Sequence, residues 1–377
     1  MKVYLDNAAT TPLAPEVMQE MFAVMQDKFG NPSSIHSYGR EVRAMIEQSR
    51  KTIAGLFNVT PGEIIFTSGA TEANNMVLRC SVRDLGVKHI ISSPIEHHAV
   101  EHTLQQLQNE GLVKVHWLNV NRYGCIDLQE LKNMLKANEH ILVSLMHANN
   151  EIGTLHPITE IGNLCREHNA IFHSDTVQTV AHYKLNLKEI PVDFITCSAH
   201  KFHGPKGIGF LYTNNRLHLK PMITGGSQER NMRGGTENVY GIAGMTKALQ
   251  LAYQQLEKEQ GQISALRSYM INRLKKDFPD VEFNTDIHNE SLYTVLNVSF
   301  PACDFAEMFL FNLDIQGIAA SGGSACSSGS STGSHVLNAI GADASRPAVR
   351  FSFSRYNTIE EVDYVMEKLK EMYAVKA

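Results

Sequence analysis

The chain has 377 residues, of which 43% are hydrophobic and 19% are charged, a composition typical of a folded protein with a large core. This length predicts two or three domains, or one large domain with a smaller partner. The net charge of −5 argues against nucleic acid as the main partner, because proteins that bind it directly usually carry a strong basic excess.

The N-terminal stretch MKVYLDNAATTPLAPE lacks the basic and apolar regions of a secretory signal. No stretch approaches the roughly 18 uninterrupted apolar residues that a membrane-spanning helix needs. The cysteines are scattered and form no C-x-x-C pair. We therefore expect a cytoplasmic protein with free thiols and no contact with a membrane.

Short apolar runs alternate with amphipathic stretches through the first two thirds of the chain. Strands are predicted at 63–67, 89–93, 114–118, 141–146, 170–174, 194–197 and 209–212. This rhythm predicts an α/β fold with a mostly parallel sheet covered by helices on both faces. Ligands bind beyond the carboxyl ends of such strands, so the residues that follow each strand are the first candidates for a site.

A smaller α+β domain is predicted in the last third of the chain. Its expected elements are one or two long helices within 239–276, strands at 281–284, 292–299 and 349–354, and helices at 304–312 and 359–373. We predict a segment 1–15 that packs on the small domain, a large domain 16–260 and a small domain 261–377. The run SGGSACSSGSSTGS at 321–334 is flexible by composition, and a cysteine at its centre favours a mobile functional loop over a plain linker.

Three features that a single cofactor would require follow the predicted strands: a helix start, an acid and a lysine. Ala70 and Thr71 begin a helix whose free N–H groups would attract a phosphate, although an ordinary N-cap explains the same pattern. Asp175 could hold a protonated ring nitrogen, or simply cap a helix. Lys201 is suited to a covalent bond with a cofactor aldehyde, and Lys206 is its competitor, better suited to a surface turn. Together they meet the demands of pyridoxal phosphate (PLP).

Histidines after another strand allow two interpretations. His97 could lie over the ring of the cofactor and move protons. His98 and His102 have the i, i+4 spacing of metal ligands, but no third ligand is evident nearby in the sequence. A metal-dependent hydrolase is therefore the weaker interpretation.

Ordered motifs run along nearly the whole chain. They are YLDNAATT at 4–11, GNPSS at 30–34, SGATE at 68–72, EH at 96–97, NNEIG at 149–153, SDTVQ at 174–178, SAHK at 198–201, GPKG at 204–207, SACS at 324–327 and RFS at 350–352. With them the chain resembles the cysteine desulfurases of the NifS/IscS type, in the class V aminotransferase family of PLP-dependent enzymes. The resemblance implies a PLP-dependent transferase of fold type I, whose large domain holds a mostly parallel seven-stranded sheet.

The resemblance also implies how the cofactor is held. Lys201 would form the covalent link and later act as a base, Asp175 would hold the ring nitrogen, Gln178 would hold the ring hydroxyl oxygen, and His97 would stack on the ring and assist acid–base steps. The remaining cofactor contacts would come from Ala70, Thr71, Asn150, Ser198 and His200, together with Thr236 of the neighbouring subunit. The protein would then be a homodimer with shared active sites.

Sulfur chemistry follows from the same resemblance. Asn150 and Arg350 would bind the carboxylate of L-cysteine, since a guanidinium forms a bidentate fork, although an arginine on a strand is more often a structural ion-pair partner. Cys326 would attack the substrate sulfur, release alanine and carry a persulfide to an acceptor, either an iron–sulfur scaffold or a protein of tRNA or thio-cofactor synthesis. No resident metal is required, although Cys326 could serve as a transient iron–sulfur ligand together with a partner.

Two departures and two rival functions remain open. The cysteine motif has Gly322 where relatives commonly have serine, and the chain stops at Ala377 without the longer tail that helps relatives dock a scaffold, which leaves the acceptor undecided. An aminotransferase or selenocysteine lyase of the same fold would not need Cys326 on a mobile loop. A non-catalytic sulfur-relay subunit is disfavoured because every expected catalytic residue is present.

Overall fold

A computed structural model describes residues 1–322 and 333–374. Up to the last strand of the main sheet, its elements are β1 Val3–Tyr4, α1 Pro15–Asp27, α2 Ser37–Phe57, β2 Ile64–Thr67, α3 Ala70–Leu85, β3 His89–Ser92, α4 His98–Asn109, β4 Lys114–Trp117, α5 Leu128–Ala137, β5 Ile141–Ser144, α6 Ile158–Glu167, β6 Ile171–Asp175, β7 Phe194–Ser198 and β8 Gly209–Thr213. The strand predictions for this part are confirmed to within two residues at each end.

The rest of the chain is richer in helix. Its elements are α7 Gln228–Asn231, α8 Val239–Asp277, β9 Glu282–Phe283, β10 Val295–Ser299, α9 Phe309–Ile315, β11 Ile318–Ala319, α10 His335–Ala339, β12 Ala348–Ser352 and α11 Ile359–Ala374. The long helical region is a single helix, α8. The helix expected at 304–312 is a 3-10 turn followed by α9, and Phe305 and Phe309 stack there with ring centroids 5.8 Å apart.

The main sheet has seven strands in the order β2-β8-β7-β6-β5-β3-β4. Strand β8 runs antiparallel to both of its neighbours, and the other pairs are parallel. Strands β2, β5, β7 and β8 are buried along their whole length, as expected for a sheet with helices on both faces. The parallel strands therefore deliver the residues that follow them to one edge of the sheet, as fold type I requires.

Two large hydrophobic cores occur among the described residues, one around the main sheet and one around β10 and β12. Helix α8 joins them, because Ile242 and Ala252 pack in the core of the main sheet and Ile263 packs in the core around β10 and β12. The N-terminal strand β1 pairs with β11 of the smaller unit, and Val3 lies in the same small core. None of the described helices is long and apolar enough to cross a membrane.

Candidate active site

A cavity of about 530 Å³, within the range of small-molecule sites, lies where the ends of several strands meet. Its wall combines strand ends of the main sheet with the N-terminal segment and β12. The residues predicted from the sequence that line it are Ala70, Thr71, His97, Asn150, Asp175, Gln178, Ser198, His200, Lys201 and Arg350. Side chains dispersed over nearly the whole chain therefore face one space.

One residue predicted for the site, Thr236, does not line this cavity, and another, Cys326, cannot be placed relative to it. Thr236 is exposed and lines an adjoining hollow that shares Ser68 and Gly207 with the cavity. Cys326 lies outside the described residues, as does most of the loop predicted around it. The structure thus describes the residues expected to hold the cofactor and the substrate, and their roles, like that of Cys326, stay predictions.

Asp175 ends β6 and is only 6% exposed, so its carboxylate needs hydrogen-bond donors from the protein. The side-chain amide of Asn74 donates to Oδ2 at 2.8 Å, and the backbone N–H of Val177 donates to Oδ1 at 3.0 Å. Both donors stabilise the ionised carboxylate. An oriented anion on the cavity wall is the group that a protonated ring nitrogen would contact.

Lys201 closes the 3-10 turn that follows β7, and its amine reaches the N-terminal segment. Nζ donates to the carbonyl oxygens of Ala8 at 2.6 Å and Ala9 at 2.9 Å. The competitor Lys206 also lines the cavity but is exposed. Of the two, Lys201 is the amine held by backbone contacts on the cavity wall, a fixed position that suits a covalent link.

His97 is the N-cap of α4, and this contact fixes its tautomer. Nδ1 accepts a hydrogen bond from the backbone N–H of Ala99 at 3.0 Å, so the proton of the neutral ring lies on Nε2. Burial lowers the pKa of His97 below its usual value, which favours that neutral form. His97 therefore presents an N–H donor at Nε2, and protonation at Nδ1 would break the helix cap.

The start of α3 fits a phosphate group. Gly69, the N-cap, has φ 151° and offers no capping side chain, so the first N–H groups of the helix lack a side-chain acceptor. A Cβ at Gly69 would lie 3.4 Å from the hydroxyl of Ser198, which marks a close approach of these two elements. The pKa of His200 is lowered to about 4 by burial and by nearby lysines, so its neutral ring adds no charge. This donor set fits the phosphate of PLP.

Arg350, on β12, is 1% exposed and lines the same cavity. It donates from Nη2 to Asp6 at 2.6 Å and from Nη1 to the carbonyl of Asn150 at 2.9 Å. Among the described residues its Nε has no hydrogen-bond partner. The ion-pair interpretation is therefore correct in part, and donor capacity remains for a substrate carboxylate.

The histidine pair considered as a metal site, His98 and His102, is not the group that the fold brings together. Ligand atoms of His98, Glu101 and His335 lie within 4.8 Å of one another, so His98 is joined by a carboxylate of its own helix and by a histidine of α10. However, His98 Nδ1 contacts Glu101 at 3.0 Å, and His335 Nε2 contacts the carbonyl of Glu96 at 2.9 Å. These contacts hold α10 against the start of α4 and account for the cluster.

Some contributors were not predicted from the sequence. Asp6 and the carbonyls of Ala8 and Ala9 come from the N-terminal segment, and Asn74 comes from the second turn of α3. Their motifs were recognised, but no local pattern shows that a backbone carbonyl will meet a lysine almost two hundred residues away. Only the fold brings these groups to the cavity.

Comparison with known proteins gives a consistent result. A family model described as "Aminotransferase class-V" matches residues 3–365. The chain is 44% identical to "Cysteine desulfurase IscS" of Dictyoglomus turgidum, over 98% of this chain and 94% of that protein. Among solved structures, a "NIFS-LIKE PROTEIN" superposes with a TM-score of 0.92 at 36% identity over 100% of both chains. The structure titled "SspA in complex with cysteine" has a TM-score of 0.82 at 31% identity, covering 95% of this chain and 100% of that one.

Proposed function

The chain belongs to the class-V aminotransferase family of PLP-dependent enzymes, and we propose that it is a cysteine desulfurase that uses Lys201 and Cys326. The reaction converts L-cysteine and the Cys326 thiol into L-alanine and a Cys326 persulfide. The carbon–sulfur bond of the substrate breaks, a sulfur–sulfur bond forms, and the thiol proton ends on alanine. No external oxidant is needed, because the substrate carbon is reduced as its sulfur is oxidised.

The protein's task on the cofactor side is to fix geometry and charge. When bound, PLP withdraws electrons from the α-carbon of the amino acid. Lys201 would supply the amine that anchors the cofactor and would take the α-proton of the substrate. Asp175 would accept a hydrogen bond from the ring nitrogen, and the start of α3 would hold the phosphate. His97 would donate a proton from Nε2.

The substrate side is built around Arg350. Its guanidinium binds the carboxylate of L-cysteine while Asp6 and the carbonyl of Asn150 hold it in place. This contact orients the amino group of the substrate toward Lys201. The sulfur is then presented to Cys326, whose thiolate is the attacking group.

One observation carries the proposal: Lys201, Asp175 and Arg350 line the same cavity. An amine, an anion and a guanidinium on one wall match the aldehyde and ring nitrogen of PLP and the carboxylate of an amino acid. An aminotransferase would use the same three groups, so the substrate sulfur is what distinguishes the desulfurase. The cysteine bound by the similar protein described above favours that substrate here.

We also propose that the protein is a cytoplasmic homodimer that passes sulfur to an acceptor protein. Large apolar side chains on and after α1 are exposed, among them Phe22, Phe29 and Ile35, and the hollow beside Phe29 also contains Thr236. This arrangement supports a homodimer in which Thr236 serves the neighbouring active site. The cysteines of the described range are unpaired, in keeping with a reducing cytoplasm. The sulfur acceptor is an iron–sulfur scaffold or another protein that receives a persulfide.

The test compares wild type with Lys201→Ala and Lys206→Ala. We expect wild type to show the visible band of bound PLP and to form alanine from L-cysteine. Lys201→Ala should lose both, whereas Lys206→Ala should keep the band. Loss of the band in Lys206→Ala alone would reassign the anchoring lysine, and a keto acid in place of alanine would make the enzyme an aminotransferase. Alanine released from selenocysteine but not from cysteine would make it a selenocysteine lyase.

A further inference from the structure

A row of buried polar side chains leads from Asp175 into the protein interior. Asn74 Nδ2 lies 2.8 Å from Asp175 Oδ2, and Asn74 Oδ1 lies 3.1 Å from His173 Nε2. His173 Nδ1 lies 2.9 Å from the hydroxyl of Ser144. Asn74, His173 and Ser144 are each 0% exposed. Three buried polar groups in series join α3 to β5 and β6, and the reaction described above makes no direct use of them.

The direction of each hydrogen bond follows from the first one. An ionised Asp175 can only accept, so Asn74 donates to it and turns its amide oxygen toward His173. His173 must then donate from Nε2. Burial lowers the pKa of His173 to about 4, so its ring is neutral and Nδ1 accepts from the hydroxyl of Ser144. All three hydrogen bonds therefore point toward Asp175.

A second buried acid, Glu96, shows why the hydrogen bonds to Asp175 matter. Glu96 is 0% exposed, and burial, together with repulsion from Asp175, raises its pKa to about 8. Two acids in one buried region do not both ionise readily. At neutral pH Glu96 therefore holds its proton, whereas the carboxylate of Asp175 has the side chain of Asn74 and the backbone of Val177 as hydrogen-bond donors.

We propose that Asn74, His173 and Ser144 form a positioning relay that keeps Asp175 ionised and directed at the ring nitrogen of the cofactor. This inference rests on the function proposed above, because it assigns a purpose to the same Asp175. The alternative is a purely structural network. That network would contribute to stability without changing the protonation of the bound cofactor.

The test measures the cofactor rather than turnover. Holoenzyme without L-cysteine is titrated with pH, and the midpoint of its visible absorption change is recorded. If Asp175 no longer keeps the ring nitrogen protonated, the nitrogen that Lys201 shares with the cofactor becomes easier to protonate. Asn74→Leu, which keeps the volume but removes both hydrogen bonds, should therefore raise the midpoint by about one pH unit or more. It should also weaken PLP binding to the apoprotein about tenfold.

Graded and matched variants separate the two interpretations. Ser144 is separated from Asp175 by three hydrogen bonds, so Ser144→Ala should give a smaller rise in the midpoint. His173→Gln can still donate an amide to Asn74 and should restore most of what His173→Phe loses, which keeps the test valid if Asn74→Leu does not fold. Asn284→Leu removes a buried amide that contacts Asn297 and Ser299 in the smaller unit, so it should reduce stability without moving the midpoint.

The outcomes distinguish failure of the relay from failure of the proposed function. Midpoints that rise in the order Ser144→Ala, His173→Phe, Asn74→Leu support the relay, whatever amino acid the enzyme uses. Unchanged midpoints in variants of an enzyme that still makes alanine would overturn the relay alone. A yellow wild type that makes no alanine would contradict the desulfurase function and leave the relay open to the same titration.

Discussion

Among the described residues, two arginines are almost completely buried, and they differ in how many guanidinium donors have a protein partner. Arg50, on α2, gives both Nη atoms to Glu229 at 2.8 Å, Nη1 also to the carbonyl of Ile64 at 2.6 Å, and Nε to Glu47 at 3.2 Å. Arg350 makes one bond to Asp6 and one to the backbone, and within the described ranges its Nε has none. Only Arg350 lines the cavity.

This difference in hydrogen bonding distinguishes an arginine that is buried for structural reasons from one that is buried at a functional site. A guanidinium whose donors are satisfied in the native state has nothing left for a ligand, and its removal affects folding. One that lies on a cavity wall with spare capacity can accept a carboxylate. Residue type and burial are the same at both positions, so only the hydrogen bonds reveal the distinction.

The largest expected effect is on stability, at the structural pair. Glu229→Gln leaves the buried charge of Arg50 with only the partly exposed Glu47 as a counter-charge, which should lower the free energy of unfolding by about 3–5 kcal/mol in urea titrations. Glu47→Gln removes the weaker, partly exposed partner and should cost less than about 1 kcal/mol. The KM for L-cysteine should stay unchanged in both. A raised KM with normal stability in Glu229→Gln would erase the proposed difference between the arginines.

The next largest effect is expected on the binding of L-cysteine by Arg350. Arg350→Ala should lower kcat/KM for L-cysteine about 100-fold, mainly through KM, because charge-assisted hydrogen bonds to the carboxylate are lost. Arg350→Lys keeps the charge but loses the fork and should lie between wild type and alanine. The visible band of bound PLP should persist in both variants. An unaltered KM in Arg350→Ala would remove this residue from the substrate site.

Neither arginine titrates near neutral pH. We therefore expect the pH dependence of stability to come from buried histidines and from Glu96, which are neutral in the folded protein. Burial lowers the pKa of His173, His182 and His203 to about 4, so their contribution is complete above about pH 6.5 and is lost as the pH falls toward 4. Each contributes a slope of about 1.4 kcal/mol per pH unit. Glu96 has the opposite sign: its pKa is raised to about 8, so its contribution is lost as the pH rises through 8.

Denaturation across this pH range should therefore show greatest stability near pH 6.5, with a fall on either side. Glu96→Gln keeps an acceptor oxygen and replaces the acidic proton with an amide, so it should remove the fall in stability above pH 6.5 and steepen the rise below it. A profile that rises steadily to pH 8 in wild type would show that Glu96 is ionised in the folded protein.

The smallest effect is expected at the ion pair of Arg350 with Asp6, the contact in which Arg350 most resembles Arg50. Asp6→Asn keeps a hydrogen-bond acceptor for Arg350 but removes the opposing charge, which should raise the KM for L-cysteine about threefold by loosening the guanidinium. Michaelis–Menten kinetics beside Arg350→Ala would measure this. A KM lowered by the same change would mean that Asp6 competes with the substrate rather than orienting the arginine.

The sequence predicted the cofactor side of the site better than the substrate side. Asp175 and Lys201 follow regular apolar strands, and the rule that ligands bind at strand ends locates them without any contact information. Asp6 and Arg350 meet across 344 residues, and Asn74 meets Asp175 across 101, so no local pattern shows either pair. Likewise, His335 joins His98 and Glu101 from a distant helix, so the local sequence does not show that cluster.

Sulfur transfer to Cys326 is tested most directly by one mass-spectrometric measurement. Wild type and Cys326→Ser, both loaded with PLP, are mixed with one equivalent of L-cysteine, and bound sulfur is mapped by peptide alongside the alanine formed. We predict alanine together with a persulfide on Cys326 in wild type, and neither product in the variant, which should still show the PLP band. Equal alanine and sulfide from Cys326→Ser, or a persulfide on Cys125 instead, would contradict it.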